Sequence, residues 1–190
     1  ARAGIALPAW ASAATLEELA PLAAGLRPPL ALKGLGFAHK TEAGAVRLGL
    51  PSLEGQAGMP GARGYLAEEM VGGALAELLI GLRRDPVYGA TATLGFGGVT
   101  AELMADTVTL VLPVTGDDVA GALRRLRLWP LLDGYRGRPR AELGAIVAAV
   151  LGLQGLLEAD PAIGEIEINP LMAFPEGAVA VDVVLWEETE

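Results

Sequence analysis

Between Gly164 and Trp186 the chain reads GEIEINPLMAFPEGAVAVDVVLW, with polar and apolar side chains alternating on both sides of Pro-Glu-Gly. A period of two sends successive side chains to opposite faces of a strand, so a hairpin turning at 175–177 is expected. Glu165, Glu167 and Asn169 then share one face, and Asp182 on the returning strand comes within reach of it. Pro170 keeps Asn169 extended and is expected to end the strand's donor ladder. Asn and Asp oxygens projecting together suit Mg²⁺, which takes one or two protein oxygens and fills its other positions with phosphate and water. An amphipathic hairpin with a solvated acidic face fits the same alternation, and from alternation alone it is the simpler reading.

Upstream, strands and helices are mixed without regular βαβ alternation, so the expected class is α+β. Thr15 with Glu18 has capping-box spacing and predicts a helix running to Pro28-Pro29. LALKGLG and GAVRLGL read as strands flanking a loop over 34–45, and PSLEGQAGMPGARG as a connection. YLAEEM and ALAELLIGLRR are expected strands separated by a turn at Gly72-Gly73; ATATLGF and TVTLVLPV follow as strands. Thr115 and Asp118 predict the start of one helix, and PRAELGAIVAAVLGLQGLLEA a second, buried one.

Composition narrows the chemistry. The net charge of −9 opposes a broad nucleic-acid surface, while leaving room for a single nucleotide held by a few local donors. The 190-residue chain contains no cysteine and one histidine, so a metal must be held mainly by oxygen, as Mg²⁺ is. The longest apolar run, LGAIVAAVLGLQGLL, falls short of the roughly 20 residues that span a membrane. The first residues, ARAGIALPAWASA, read as folded sequence because Pro8 and Trp10 interrupt any signal-like pattern. The chain does not begin with Met and is read as a piece of a longer, cytoplasmic polypeptide.

That single histidine, His39, lies with the only two lysines, Lys33 and Lys40, around one glycine-spaced loop. A lysine ending an apolar strand before such a loop can set an ammonium against phosphate, with loop N–H groups on the other oxygens. GFGGVTAELMAD, residues 95–106, is a second glycine-bearing loop. Neither carries a Walker or dinucleotide-binding pattern, and each alone is more often a turn than a phosphate cradle.

Taken in order, LALKGLGFAHKTEAGAVRLGL, YLAEEM, AELLIGLRRDPVYG, LGFGGVTAELMAD, PLLDGYRGRP, EIEINPL and GAVAVD resemble the ATP-grasp domain of NDP-forming acyl-CoA synthetases, over about residues 1–186. These synthetases include ADP-forming acetate–CoA ligase and the succinyl-CoA synthetase β subunit. The resemblance implies an ATP-grasp fold of two α+β lobes, 1–67 and 68–190, with ATP/ADP and Mg²⁺ bound between them. Lys33 matches a lysine touching the nucleotide phosphates. Glu68, Glu69 and Met70 match the hinge that meets adenine and ribose, and Glu77 an acidic position facing the nucleotide. Asn169 and Asp182 match the Mg²⁺ ligands, with Glu167 as an auxiliary.

His39 matches a histidine implicated as a phosphate carrier; the alternative is that it bonds phosphate or orders its loop. Arg136 and Arg138 are either phosphate-side or subunit-contact residues, or they fix the connection between two helices. The implied reaction joins a small carboxylic acid to CoA at the expense of ATP. The CoA-binding and ligase domains would lie on the same polypeptide or a partner subunit, in an oligomeric enzyme. A second reading is a non-catalytic regulatory module, as in related domains fused to protein acetyltransferases. The connection from Leu50 to Tyr65 is shorter than the family's.

Overall fold

The computed structural model describes residues 3–37, 44–98 and 105–187. They form two compact units: Pro8–Gly72 is one, and the residues before Pro8 and after Gly72 make up the other. Both are built on antiparallel sheets with helices, in agreement with the α+β expectation.

The smaller unit has four strands, β1 (Trp10–Ala13), β2 (Leu30–Leu35), β3 (Val46–Leu50) and β4 (Gly64–Glu69), in the order β1-β4-β2-β3. Its helix α1 (Leu16–Leu22) starts at the expected capping box, with Thr15 Oγ1 accepting from Glu18 N and Glu18 Oε2 from Thr15 N. The helix ends well before Pro28. Pro21, inside it, has no N–H to continue the ladder, and Ala24 N then turns back onto Pro21 O. Leu19 of α1 is fully buried in a core with Leu32, Ala67 and Met59.

The larger unit has one six-stranded sheet. Its strands are β5 (Ala76–Asp85), β6 (Gly89–Phe96), β7 (Thr107–Val111), β8 (Ile163–Phe174), β9 (Gly177–Ala180) and β10 (Val183–Glu187). The order is β10-β8-β5-β6-β7, with β9 also paired to β8. Gly72-Gly73 is therefore no hairpin turn: β4 and β5 belong to different sheets. The terminal hairpin is present, but Pro170 does not end β8. The strand runs on to Phe174, and its partner changes around Pro170, from β10 (through Ile168) to β9 (from Leu171).

Helices α2 (Gly116–Arg124), α3 (Trp129–Leu132) and α4 (Leu143–Ala159) follow β7. In α4, Ile146, Ala149, Val150, Leu153 and Leu157 are buried at helical spacing, in one core with Leu78, Ile80 and Leu82 of β5, Leu94 of β6, and Ile166 and Ile168 of β8. The polar residue in that apolar run, Gln154, accepts a hydrogen bond from Val114 N at 2.8 Å. The short α3 is not among the sequence expectations. Among the described residues no helix is long and apolar enough to cross a membrane.

Arg84 shows how the sheet is tied to α4. Rather than joining a surface ion pair, its guanidinium donates to the carbonyls of Leu157 at 2.6 Å, Ile163 at 3.0 Å and Asp160 at 3.4 Å, around the end of the helix. These are charge-assisted bonds in a partly buried setting, and Arg84→Ala is expected to cost about 1.5–3 kcal/mol of unfolding free energy, measurable by chemical denaturation. Arg83 does make the surface pair, with Asp85 at 3.1 Å.

Asp118 at the start of α2 titrates below its ordinary value. The Thr115 hydroxyl donates to its carboxylate at 2.6 Å, and Thr115 N at 2.9 Å. A depressed carboxyl contributes stability above its unfolded-state pKa and loses it as pH falls through the folded one. Asp118→Asn should therefore flatten part of the stability decline below about pH 4, and leave the neutral-pH slope alone, in denaturation followed against pH.

Candidate functional site

In the smaller unit, Lys33 lies mid-strand in β2, paired in register with Leu66 of β4 and Val46 of β3. Leu32 and Ala67 turn into the core, so alternation sends Lys33 and Glu68 together to the other face. There Lys33 Nζ lies 2.6 Å from Glu68 Oε1, and each side chain is only 6% exposed. Removing one charge of a buried pair costs more than replacing both by apolar groups of similar volume.

Glu69, the next residue, necessarily points to the opposite side. Its carboxylate takes Arg27 in a fork, with Nε at 3.1 and 3.2 Å and a terminal nitrogen at 2.9 Å, and also accepts Arg27 N at 2.9 Å. Those contacts hold Glu69 below the usual carboxylate range. Met70 is exposed; its sulfur accepts from Gly49 N at 2.9 Å, and its own N–H donates to Pro29 O. Of the three hinge candidates, only Glu68 meets Lys33. His39 and Lys40 lie outside the described residues.

In the larger unit, the sheet face turned away from the helices carries the remaining candidates. Leu78, Ile80 and Ile168 are in the core, so Glu77 on β5 and Glu167 and Asn169 on β8 project from the other side. Asp182 stands directly opposite Asn169: Asn169 N donates to Asp182 O at 3.0 Å, and Val181 N to Pro170 O at 3.1 Å. Opposed residues of an antiparallel pair project on one side with Cβ atoms about 4.5–5.5 Å apart. The structure thus makes Asn169 and Asp182 cross-strand neighbours, both half-buried and open to solvent. Both side chains offer oxygen, the donor that a hard divalent ion requires. Glu167 is set one step further, in register with Gly81, above which a Cβ would meet nothing within 4 Å.

Two residues join this group that were read only as part of a glycine loop. Gly97 N donates to Glu77 O at 2.7 Å, and Gly98 follows in the left-handed region at φ +73°. The loop's first turn therefore sits beside both Glu77 and Asn169. Arg136 and Arg138 are exposed, Arg136 with its guanidinium carbon 5.3 Å from the centre of the Tyr135 ring. Asp106, also unanticipated, is 8% exposed and accepts from Arg127 N and Leu128 N at 2.9 Å, anchoring the segment between α2 and α3.

A family model described as ATP-grasp domain matches residues 1–186. The ADP-forming acetate–CoA ligase I of Archaeoglobus fulgidus is 30% identical over 97% of this chain, which spans 29% of that protein's length. The β subunit of ADP-forming acetate–CoA ligase I from Pyrococcus furiosus is 28% identical, covering 94% of this chain and 84% of the subunit. Among solved structures, the dinucleotide-forming acetyl-coenzyme A synthetase 1 of Ca. Korarchaeum cryptofilum superposes with a TM-score of 0.81 and 28% identity, over 98% of this chain and 87% of that one. That structure is a complex with coenzyme A and Mg-AMPPCP, its phosphohistidine segment pointing towards the nucleotide binding site.

Proposed function

This chain belongs to the ATP-grasp domain family, and from that membership we propose that it is the ATP- and Mg²⁺-binding, phosphoryl-transferring part of an ADP-forming acid–CoA ligase. The whole enzyme would convert a carboxylic acid, CoA and ATP into acyl-CoA, ADP and phosphate. Its CoA-binding and ligase domains lie on the same polypeptide or on a partner subunit, in the cytoplasm. The observation that carries the reading is the pairing of Asn169 with Asp182 across β8 and its returning strand, on the side of the sheet away from the helices.

Asn169 and Asp182 would hold Mg²⁺, whose chemistry when bound is to neutralise charge on the phosphate oxygens. The smaller unit, taken as the N-terminal lobe, supplies Lys33 for the phosphates, with Glu68 fixing where its ammonium can go. The strand end Glu68–Met70 serves the adenosine side, and Glu77 of the larger unit faces the nucleotide. Phosphoryl transfer depends chiefly on positioning and charge stabilisation, which such a donor set provides. We assign His39 as the phosphate carrier. A neutral imidazole nitrogen attacks the γ-phosphorus, the bond to the β-phosphate oxygen breaks, and ADP departs.

Calorimetric titration of Mg·ADP and Mg·ATP into the full-length polypeptide is expected to give saturable binding; a folded protein that binds neither would overturn the proposal. His39→Ala should retain that binding yet lose both the acid-labile phosphoryl label and ligase turnover. Undiminished turnover in the variant would remove the carrier role and leave His39 as a loop or phosphate-bonding residue.

A further inference from the structure

β6 ends at Phe96 and is followed by two glycines whose surroundings differ from those of other crowded glycines in this unit. At Gly95 a Cβ would meet the Thr107 methyl and the Asp106 carbonyl, and at Gly152 the backbone of Ala3; neither faces the oxygen of a candidate side chain. A Cβ on Gly97 would lie 3.0 Å from Asn169 Oδ1, and 3.1 and 3.2 Å from the carbonyl carbon and oxygen of Leu78. On Gly98 it would overlap Glu77 Oε2. The hydrogen bond from Gly97 N to Glu77 O, 2.7 Å long, fixes the turn at this distance. Two successive bare Cα atoms thus lie against the oxygens of two different side chains, one from β5 and one from β8.

We propose that Gly97 and Gly98 are positioning residues for the reaction proposed above, on which this inference rests. The Gly97 backbone bounds one side of the Asn169 amide oxygen, and Gly98 leaves the volume that the Glu77 carboxylate occupies. The first orients a proposed Mg²⁺ ligand, and the second the carboxylate proposed to face the nucleotide. Groups that orient metal ligands without binding the ion are worth roughly 10–100-fold in affinity.

The two glycines separate experimentally, because only Gly98 lies at positive φ. Gly97→Ala imposes no left-handed strain, so its effect must come through what the new methyl touches. In the full-length protein, Gly97→Ala is expected to weaken Mg·ADP binding roughly 10–100-fold while moving the thermal midpoint little. It should also shift the Asn169 side-chain amide resonance in ¹⁵N–¹H spectra recorded without nucleotide. Gly98→Ala is expected to weaken binding too, and to do less harm in a Glu77→Asp background, where the shorter side chain clears the methyl. The backbone strain is common to both backgrounds and cancels in that cycle.

Wild-type affinity in Gly97→Ala, or equal effects of Gly98→Ala in both backgrounds, would overturn the positioning role. If the unsubstituted protein binds no Mg·ADP, the functional reading has failed instead. The positioning contact is then decided by the amide resonance alone: an unmoved Asn169 signal refutes it, and a displaced one upholds it.

Discussion

Asn169→Ala combined with Asp182→Ala is expected to lower the affinity for Mg·ADP by more than about 100-fold, since groups that only orient metal ligands already account for roughly 10–100-fold. Folding should be nearly unaffected. Two main-chain bonds that seat them, from Asn169 N to Asp182 O and from Val181 N to Pro170 O, are spared by truncation to alanine. Both residues are only partly buried, so no large cavity is opened. A change within about 1 kcal/mol is the ordinary result of such substitutions. Calorimetry beside thermal unfolding checks both halves. Wild-type affinity in the folded double variant would show that these oxygens hold no ion that the nucleotide needs.

Lys33→Ala should bring, unlike that double variant, a large loss of stability. It leaves the Glu68 carboxylate 6% exposed and without the ammonium at 2.6 Å, and breaking a buried pair from one side costs about 3–5 kcal/mol. Replacing both partners, as in Lys33→Met with Glu68→Met, should recover most of that loss, because a well-packed apolar pair is often as stable as the ions it replaces. On the role proposed for Lys33 against the phosphates, nucleotide affinity should remain low in the double variant. Denaturation curves and nucleotide titrations on the same three proteins therefore divide the structural share of Lys33 from its functional share. A single variant as stable as the wild type would mean that the Lys33–Glu68 contact contributes little to holding β2 and β4.

Much of this was legible in short stretches of chain. Both capping boxes, Thr15 with Glu18 and Thr115 with Asp118, form as their spacing predicts. Such bonds close within one helical turn and depend on little else. Alternation likewise placed Glu167 and Asn169 on one face, because side-chain direction in a strand follows from covalent geometry. The same rule forces Glu68 and Glu69 apart, so the two adjacent acids have separate partners in Lys33 and Arg27.

What spacing could not supply was the choice of partners. Nothing in WASA marks β1 as the mate of β4, nor TrpProLeuLeu as helix α3, since four residues carry too little pattern to tell strand, helix and turn apart. Arg84 meets the carbonyls at the end of α4 only when β5 and that helix end are brought together across more than seventy residues. Gly97 and Gly98 read as any turn until β6 lies beside β5 and their bare Cα atoms meet Asn169 and Glu77. The sequence by itself determined which side chains share a face and where the capped helices begin, because those are consequences of local geometry. The tertiary structure decided which faces and edges meet, because strand pairing and close glycine contacts depend on burying a whole sheet at once.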